Sequence, residues 1–259
     1  MSEIKLREPD DDLIPLLREC GNDELDNLVG YVTQRGGVFS QLKNTRVYKA
    51  HCPDHARYAD EIAAEIQKFG GNTILNIMRG GRGPAYRDIV CQVASRLKVH
   101  FDKKSSIEEI ERNILIKVLE ASWEKMTDAE KQAFIEGIMP ETGASNLPSE
   151  FPTALLQSAI LGGSAVVVYR ISLIVAGAIA KTTLQQGLAF LGGSAVGRWA
   201  AVFSGPVGFG IAGLWTLFDV MGPAYRVLIP CVLHIAMLRQ LHLLRRKGID
   251  AGSLQEAKT

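Results

Sequence analysis

A chain of 259 residues that is 47% hydrophobic and 22% charged has apolar surface enough for a sizeable core and is too apolar to be disordered. Its net charge of +1 hides a segregation: residues 1–150 hold 20 basic and 25 acidic side chains, residues 151–259 hold 9 and 3. An acidic first half argues against a nucleic-acid partner, and Cys20, Cys52, Cys91 and Cys231, with no C-x-x-C pair, read as buried thiols of a reducing compartment and not as a disulfide framework.

The first twelve residues lack the apolar run of a signal peptide, so residence on the cytoplasmic side is expected. Asp10-Asp11-Asp12 offers caps for a helix from about Leu13 to Cys20, with Pro15 tolerated in the first turn. Gly21 closes it, Asn22-Asp23 caps the next, and Leu25, Leu28, Val29 and Val32 mark an apolar face that ends at Gly36-Gly37. Cys52-Pro53-Asp54 opens a longer helix with Tyr58, Ile62, Ala63, Ile66 and Phe69 on one face, ended by Gly70-Gly71. The glycine turn from Arg79 to Pro84 places proline at a helix start, ahead of Tyr86, Ile89, Val90, Val93, Ala94 and Leu97. Ser105-Ser106-x-Glu108-Glu109 resembles a capping box for a helix to about Trp123, and Thr127-Asp128-x-Glu130 opens another that stops near Gly137. No window alternates with period two, so the expected fold is all-α: a helical N-terminal domain followed by apolar, glycine-rich helical hairpins. The expected divisions are a small hairpin over 1–50, a helical domain over 51–139, a linker over 140–152, an apolar membrane-associated region over 153–247 and a polar tail over 248–259.

The apolar region has two readings. Phe151 to Tyr169 and Trp199 to Phe218 carry no charge, and each is long enough to cross a bilayer core of about 30 Å. Arg170, Lys181, Arg198, Asp219 and Arg226 interrupt the stretch, and a mid-span charge costs about 3 kcal/mol by insertion scales unless it is paired or snorkels. The segment therefore either enters or lies against a membrane, or forms the buried core of a soluble helical protein. On the membrane reading Arg170, Lys181, Arg198, Trp199, Trp215, Arg239, Arg245, Arg246 and Lys247 are the interface residues, the last three flanking an apolar helix on the cytoplasmic side.

Two strings repeat. Leu161-Gly-Gly-Ser-Ala-Val166 returns as Leu191-Gly-Gly-Ser-Ala-Val196, and Gly83-Pro-Ala-Tyr-Arg87 as Gly222-Pro-Ala-Tyr-Arg226. The second pair combines a glycine turn, a proline helix start and a guanidinium that can meet an acid or a phosphate; local coincidence or reuse of a good helix start is the leading reading, and an anion-binding pair the alternative. Arg79, Arg82, Arg87 and Arg226 are the candidate anion or partner contacts. His51-Cys52-x-Asp54-His55 lacks a second ligand pair, and His234 and His242 read as core or interface histidines. There is no nucleophile elbow, no Walker A lysine and no dinucleotide fingerprint. No catalytic residue, metal or cofactor is expected.

Phe69-Gly-Gly-Asn-Thr-Ile74, Arg79-Gly80, Gly83, Tyr86-Arg87, Arg96-Leu97-Lys98 and Trp123-x-Lys125-Met126, with Ala224-Tyr-Arg-Val227, Ile229-Pro230 and Ile235-Ala236-x-Leu238-Arg239, resemble the YaaW-like family of uncharacterised bacterial proteins. The resemblance implies a distant relationship to the ubiquinol-cytochrome c chaperone domain, a helical module that assists assembly of a membrane complex, and brings no catalytic residues. The expected function is a non-enzymatic chaperone or assembly factor at the cytoplasmic face of the inner membrane. Its partners would be lipid or a membrane-protein client, with homo-oligomers left open. A pore-forming effector with a concealed apolar hairpin and a wholly soluble scaffold are the alternatives.

Overall fold

The last long helix, Tyr225–Arg246, is apolar on nearly every side and forms the axis around which helices from the first half of the chain assemble. The structure is a computed structural model, and it describes residues 4–35, 39–71, 81–102, 104–138, 165–185, 188 and 221–249. The helices are α1 (Ile14–Glu19), α2 (Asn22–Gly30, continuing into a wider π turn over Tyr31–Arg35), α3 (Arg46–His51) and α4 (Ala59–Gly70). They continue as α5 (Tyr86–Arg96), α6 (Ile107–Trp123), α7 (Asp128–Ile138), α8 (Ala165–Leu184) and α9 (Tyr225–Arg246). Among the described residues there is no strand, and an isolated bridge pairs Lys5 with Arg82. The fold is all-α.

Where a helix carries its own apolar face, that face is buried as the sequence spacing predicts. In α4 Ile62, Ala63 and Ile66 are buried; in α5 Tyr86, Ile89, Val90, Val93 and Ala94; in α6 Ile110, Ile114, Val118 and Trp123. Ser106 caps α6 by accepting from the Glu109 N–H at 3.2 Å.

The starts of α2, α4 and α5 differ from the sequence reading: Cys52 ends α3, a 3-10 turn over His55–Tyr58 follows, and α4 begins only at Ala59, not at Cys52-Pro53-Asp54. Gly21, not Asn22, is the cap residue of α2, because the Glu24 carboxylate accepts the Gly21 N–H at 3.0 Å while Asn22 Oδ1 accepts from Ala56 N at 2.9 Å. Helix α5 begins at Tyr86, two residues beyond Pro84, because the chain crosses α4 at Gly83: a Cβ there would stand 2.0 Å from the Gln67 carbonyl oxygen. Asp10, read as a cap for α1, supplies its carbonyl to Leu13 and Ile14, while its buried carboxylate crosses to α5 and accepts the Tyr86 N–H at 2.8 Å. Helix α3 has no buried residue and hence no periodicity to read; it rests on Thr45, whose hydroxyl accepts the Tyr48 N–H at 3.2 Å.

Helices α8 and α9 make the most extensive helix–helix contact of the described residues. Helix α9 also packs against α2, α4, α5 and α6, so the apolar C-terminal helix shares one core with the first half of the chain. Gly30 of α2 lets α8 approach, since a Cβ there would meet Leu184 Cδ1 at 2.7 Å.

His234 and Arg239, in the middle of α9, reach partners in the N-terminal helices. His234 Nε2 donates to the Glu24 carbonyl at 3.1 Å. The Arg239 Nε and Nη2 donate to Glu111 at 2.9 and 3.2 Å, Nη2 donates to the Asp12 carbonyl at 2.7 Å, and the Tyr86 hydroxyl donates to the same carboxylate at 2.9 Å. The two charged side chains are only 11% and 2% exposed. Burial opposes the charge on Arg239, and the Glu111 carboxylate outweighs it, holding the guanidinium above its ordinary value.

Candidate functional site

The two Gly-Pro-Ala-Tyr-Arg strings, 139 residues apart, border one cleft, through Arg87 of the first and Tyr225 of the second. With one side of α5 committed to the core, the opposite side presents Asp88, Gln92, Ser95 and Arg96, with Arg87 and Cys91 at its edges. The beginning of α9 brings Tyr225 against this face, and an open cleft of about 740 Å³ lies between them, with Phe101 at its wall. Met221 presents its carbonyl to Arg96 Nη2 at 3.1 Å, and the same guanidinium stacks over the Tyr225 ring at 5.4 Å from its centroid. Arg87 Nη2 donates to the Ser105 carbonyl. Each guanidinium is therefore oriented by a main-chain oxygen at the rim of the cleft, and Arg226 is exposed beside Tyr225.

The glycines of the two strings serve different needs. Gly83 must lack a side chain because α4 backbone fills the space, whereas Gly222 has open space around it and a φ of +110°, which L side chains rarely adopt. The strings thus resemble each other in sequence more than in local packing, and what they share is the placement of a tyrosine and an arginine at a helix start.

Of the predicted anion contacts, Arg87 lines the cleft, Arg226 adjoins it, and Arg82 is exposed on the far side of Gly83 in the bridge to Lys5. Arg79 lies outside the described residues, as do Arg198, Trp199 and Trp215 and, except for Ala165 and Val166, both Leu-Gly-Gly-Ser-Ala-Val copies. Among the residues assigned to a membrane interface, Lys181 is exposed and Arg170 is half-buried, with Nη1 3.4 Å from the Ile138 carbonyl. Arg239 sits in the core with Glu111, since its position on α9 turns it toward α6 rather than outward. Arg245 lies 2.6 Å from Glu24, Arg246 is 2.8 Å from Glu19, and Lys247 is exposed just past the helix.

Arg96, Asp88 and Tyr225 belong to the cleft but were not predicted as contacts, although Tyr225 stands in the repeated string. The exposed spacing of 88, 92, 95 and 96 on α5 is a usable signal, but the approach of Tyr225 from residue 225 is not. The His51-Cys52-x-Asp54-His55 string does not gather: His55 faces Tyr58 and, at 3.2 Å, Asp26, while Cys52 is exposed. Glu19 and Glu24 are instead the acids that face His242.

Relatives cover most of the chain. A UPF0174 protein of Helicobacter pylori strain J99 is 37% identical over 199 residues, 77% of this chain and 78% of the relative. A UPF0174 protein of Helicobacter pylori strain 26695 is 34% identical over 206 residues, 76% of this chain and 95% of the relative. The UPF0174 protein YaaW of Escherichia coli K12 is 32% identical over 236 residues, 88% of this chain and 93% of the relative. No family model and no solved structure matches.

Proposed function

The chain belongs to the UPF0174 family, and we propose that its member here is a non-enzymatic, membrane-associated helical protein that acts as a chaperone or assembly factor for a membrane-protein client. The observation that carries this reading is the contrast between α8 and α9. Both are long and apolar enough to cross a membrane, with mean hydropathies of 1.6 and 1.7 over their best windows, but 89% of the α9 window is buried against 67% of the α8 window. Helix α9 needs the N-terminal helices to satisfy His234, Arg239 and His242. Helix α8 needs far less: Ser172, Thr182 and Thr183 donate to carbonyls of their own helix at 2.8, 2.8 and 2.7 Å. Its charges, Arg170 and Lys181, stand near its two ends, where long side chains reach toward an interface. Serine and threonine hydroxyls bonded within their own helix can face lipid or an apolar client without stranding a donor, and Tyr169, the other hydroxyl of α8, is buried against the body.

In this reading α9 anchors the body, α8 and the apolar segments beside it engage the membrane or client at the cytoplasmic face of the inner membrane, and the Arg87–Arg96–Tyr225 cleft grips an anionic group of the partner. The implied kinship with the ubiquinol-cytochrome c chaperone domain supports an assembly role, and the acidic first half speaks against nucleic acid. The test is fractionation of cells expressing the native chain. Retention in the membrane pellet, with or without release by carbonate, supports the proposal; complete recovery in the supernatant after detergent-free lysis overturns it. Binding to anionic vesicles without release of an entrapped dye is the expected companion result, and dye release would replace the assembly role with pore formation.

A further inference from the structure

The turn between α1 and α2 is closed by the last turn of α9, and there Cys20, Glu24 and His242, all buried, bring one ligand atom each to within 4.8 Å of the others. His242 Nε2 is 3.6 Å from Cys20 Sγ and 3.5 Å from Glu24 Oε2. Hydrogen bonding accounts poorly for this arrangement. One ring nitrogen cannot accept from the thiol and donate to the carboxylate at once. The 3.5 Å separation exceeds the about 2.7–3.2 Å of an ordinary N–H···O bond. The Cys20 thiol, moreover, already has an acceptor in the Leu16 carbonyl at 3.3 Å.

A tetrahedral ion accounts for it well. Bonds of about 2.3 Å to sulfur and about 2.0–2.1 Å to nitrogen and oxygen place S and N about 3.6 Å apart and N and O about 3.3 Å apart. Outer groups also stand where such a site needs them. His242 Nδ1 faces Glu19 Oε2 at 3.5 Å, longer than an ordinary hydrogen bond but on the side from which a carboxylate steadies a ligating imidazole, and Arg246 Nη2 holds that carboxylate at 2.9 and 2.8 Å. Glu24 divides its oxygens: Oε2 faces the imidazole and accepts the Gly21 N–H at 3.0 Å, while Oε1 lies 2.6 Å from Arg245 Nη1.

We propose that Cys20, Glu24 and His242 form a binding site for a divalent transition-metal ion, Zn²⁺ by donor set, with a fourth position left to water or to a donor from a partner. Thiolate, imidazole and carboxylate together suit a borderline-soft cation and disfavour Mg²⁺ or Ca²⁺. Binding deprotonates the Cys20 thiol, releasing the proton now directed at Leu16, and the thiolate and Glu24 carboxylate neutralise the ion. Cys20 and His242 stand 222 residues apart in sequence, so the ion fastens α9 to the α1–α2 turn.

The test uses the full chain, purified under reductant, stripped with chelator and titrated with Co²⁺ as the spectroscopic probe. The expected result is one Co²⁺ per chain, with tetrahedral visible bands and a sulfur-to-cobalt charge-transfer band that disappears in Cys20→Ser and persists in Cys52→Ser, and Zn²⁺ displaces the Co²⁺. Glu19→Gln, at a half-exposed position outside the ligand set, keeps the test open whether or not the Cys20 variant folds, and it weakens Co²⁺ binding by about 10- to 100-fold. No cobalt spectrum, a charge-transfer band that survives Cys20→Ser, or unchanged affinity in Glu19→Gln overturns the proposal.

Discussion

Replacing Arg239 by methionine probes whether α9 belongs to the N-terminal body as firmly as its contacts imply. The variant keeps the length and apolar stem of the side chain but leaves Glu111, 2% exposed, without its cation, and the Asp12 carbonyl without its donor. Removing one partner of a buried pair costs about 3–5 kcal/mol, because the survivor remains desolvated and uncompensated. Against a total of about 5–15 kcal/mol this is a large share, and for a chain of this size it lowers the thermal midpoint by about 6–20 °C. Adding Glu111→Gln should recover most of the loss: the amide oxygen still accepts from the Tyr86 hydroxyl, and no lone charge remains. Urea unfolding followed by circular dichroism measures both variants. A loss below about 1 kcal/mol for Arg239→Met alone, or no recovery in the double variant, would refute the reasoning that this pair is a desolvated clamp.

The two repeated glycines should respond differently to alanine. Gly83→Ala drives a methyl into α4 backbone and should cost about 3 kcal/mol or more, whereas Gly222→Ala meets open space and should lose about 1–2 kcal/mol through its positive φ alone; denaturant midpoints distinguish them. Asp10→Ala removes the acceptor shared by the Tyr86 N–H and Gln67 Nε2 and should cost about 2 kcal/mol, with Asp10→Asn much milder. Burial raises the Glu65 carboxyl above its ordinary value, so the folded state holds that proton more tightly than the unfolded chain. The stability it contributes is present below the unfolded pKa and is lost as pH rises through the raised one. Glu65→Gln should therefore gain on the wild type as the pH rises above the ordinary carboxylate range in thermal melts, and a parallel pH profile would count against the assignment.

What could be read in advance followed from local chemistry. The faces of α2, α4, α5 and α6 are written at helical spacing, and the Ser106 cap lies three residues from its donor. What escaped was chemistry supplied from a distance. Asp10 caps a helix 76 residues away, Glu111 meets Arg239 across 128, and Cys20 meets His242 across 222. Each of these residues looks ordinary in its own window: an acid in an acidic run, a glutamate on a charged helix, a cysteine ending a short helix. Half of the candidate cleft was visible as a repeated string, and the rest depends on how α9 leans against α5. Helix α3 was silent because a six-residue helix that only half-buries Val47 and Tyr48 leaves no apolar period.

Composition alone assigns α8 and α9 to the same class, and their polar residues separate them. An arginine or histidine inside a long apolar helix is tolerable wherever something else satisfies it, whether water at an interface or a partner in a core. In α9 the partners are named and fixed, and they belong to helices that cannot follow it into a bilayer; withdrawing α9 would strand Glu111, the Glu24 carbonyl and the acids that face His242. That coupling makes α9 the element that holds the body together. In α8 the serine and threonine hydroxyls bond within the helix and the charges lie toward its ends, so most of its burial rests on apolar contact that lipid or a client surface can replace at little cost. If the protein meets a membrane, α8 is the described helix that can exchange one apolar neighbour for another while α9 stays in place.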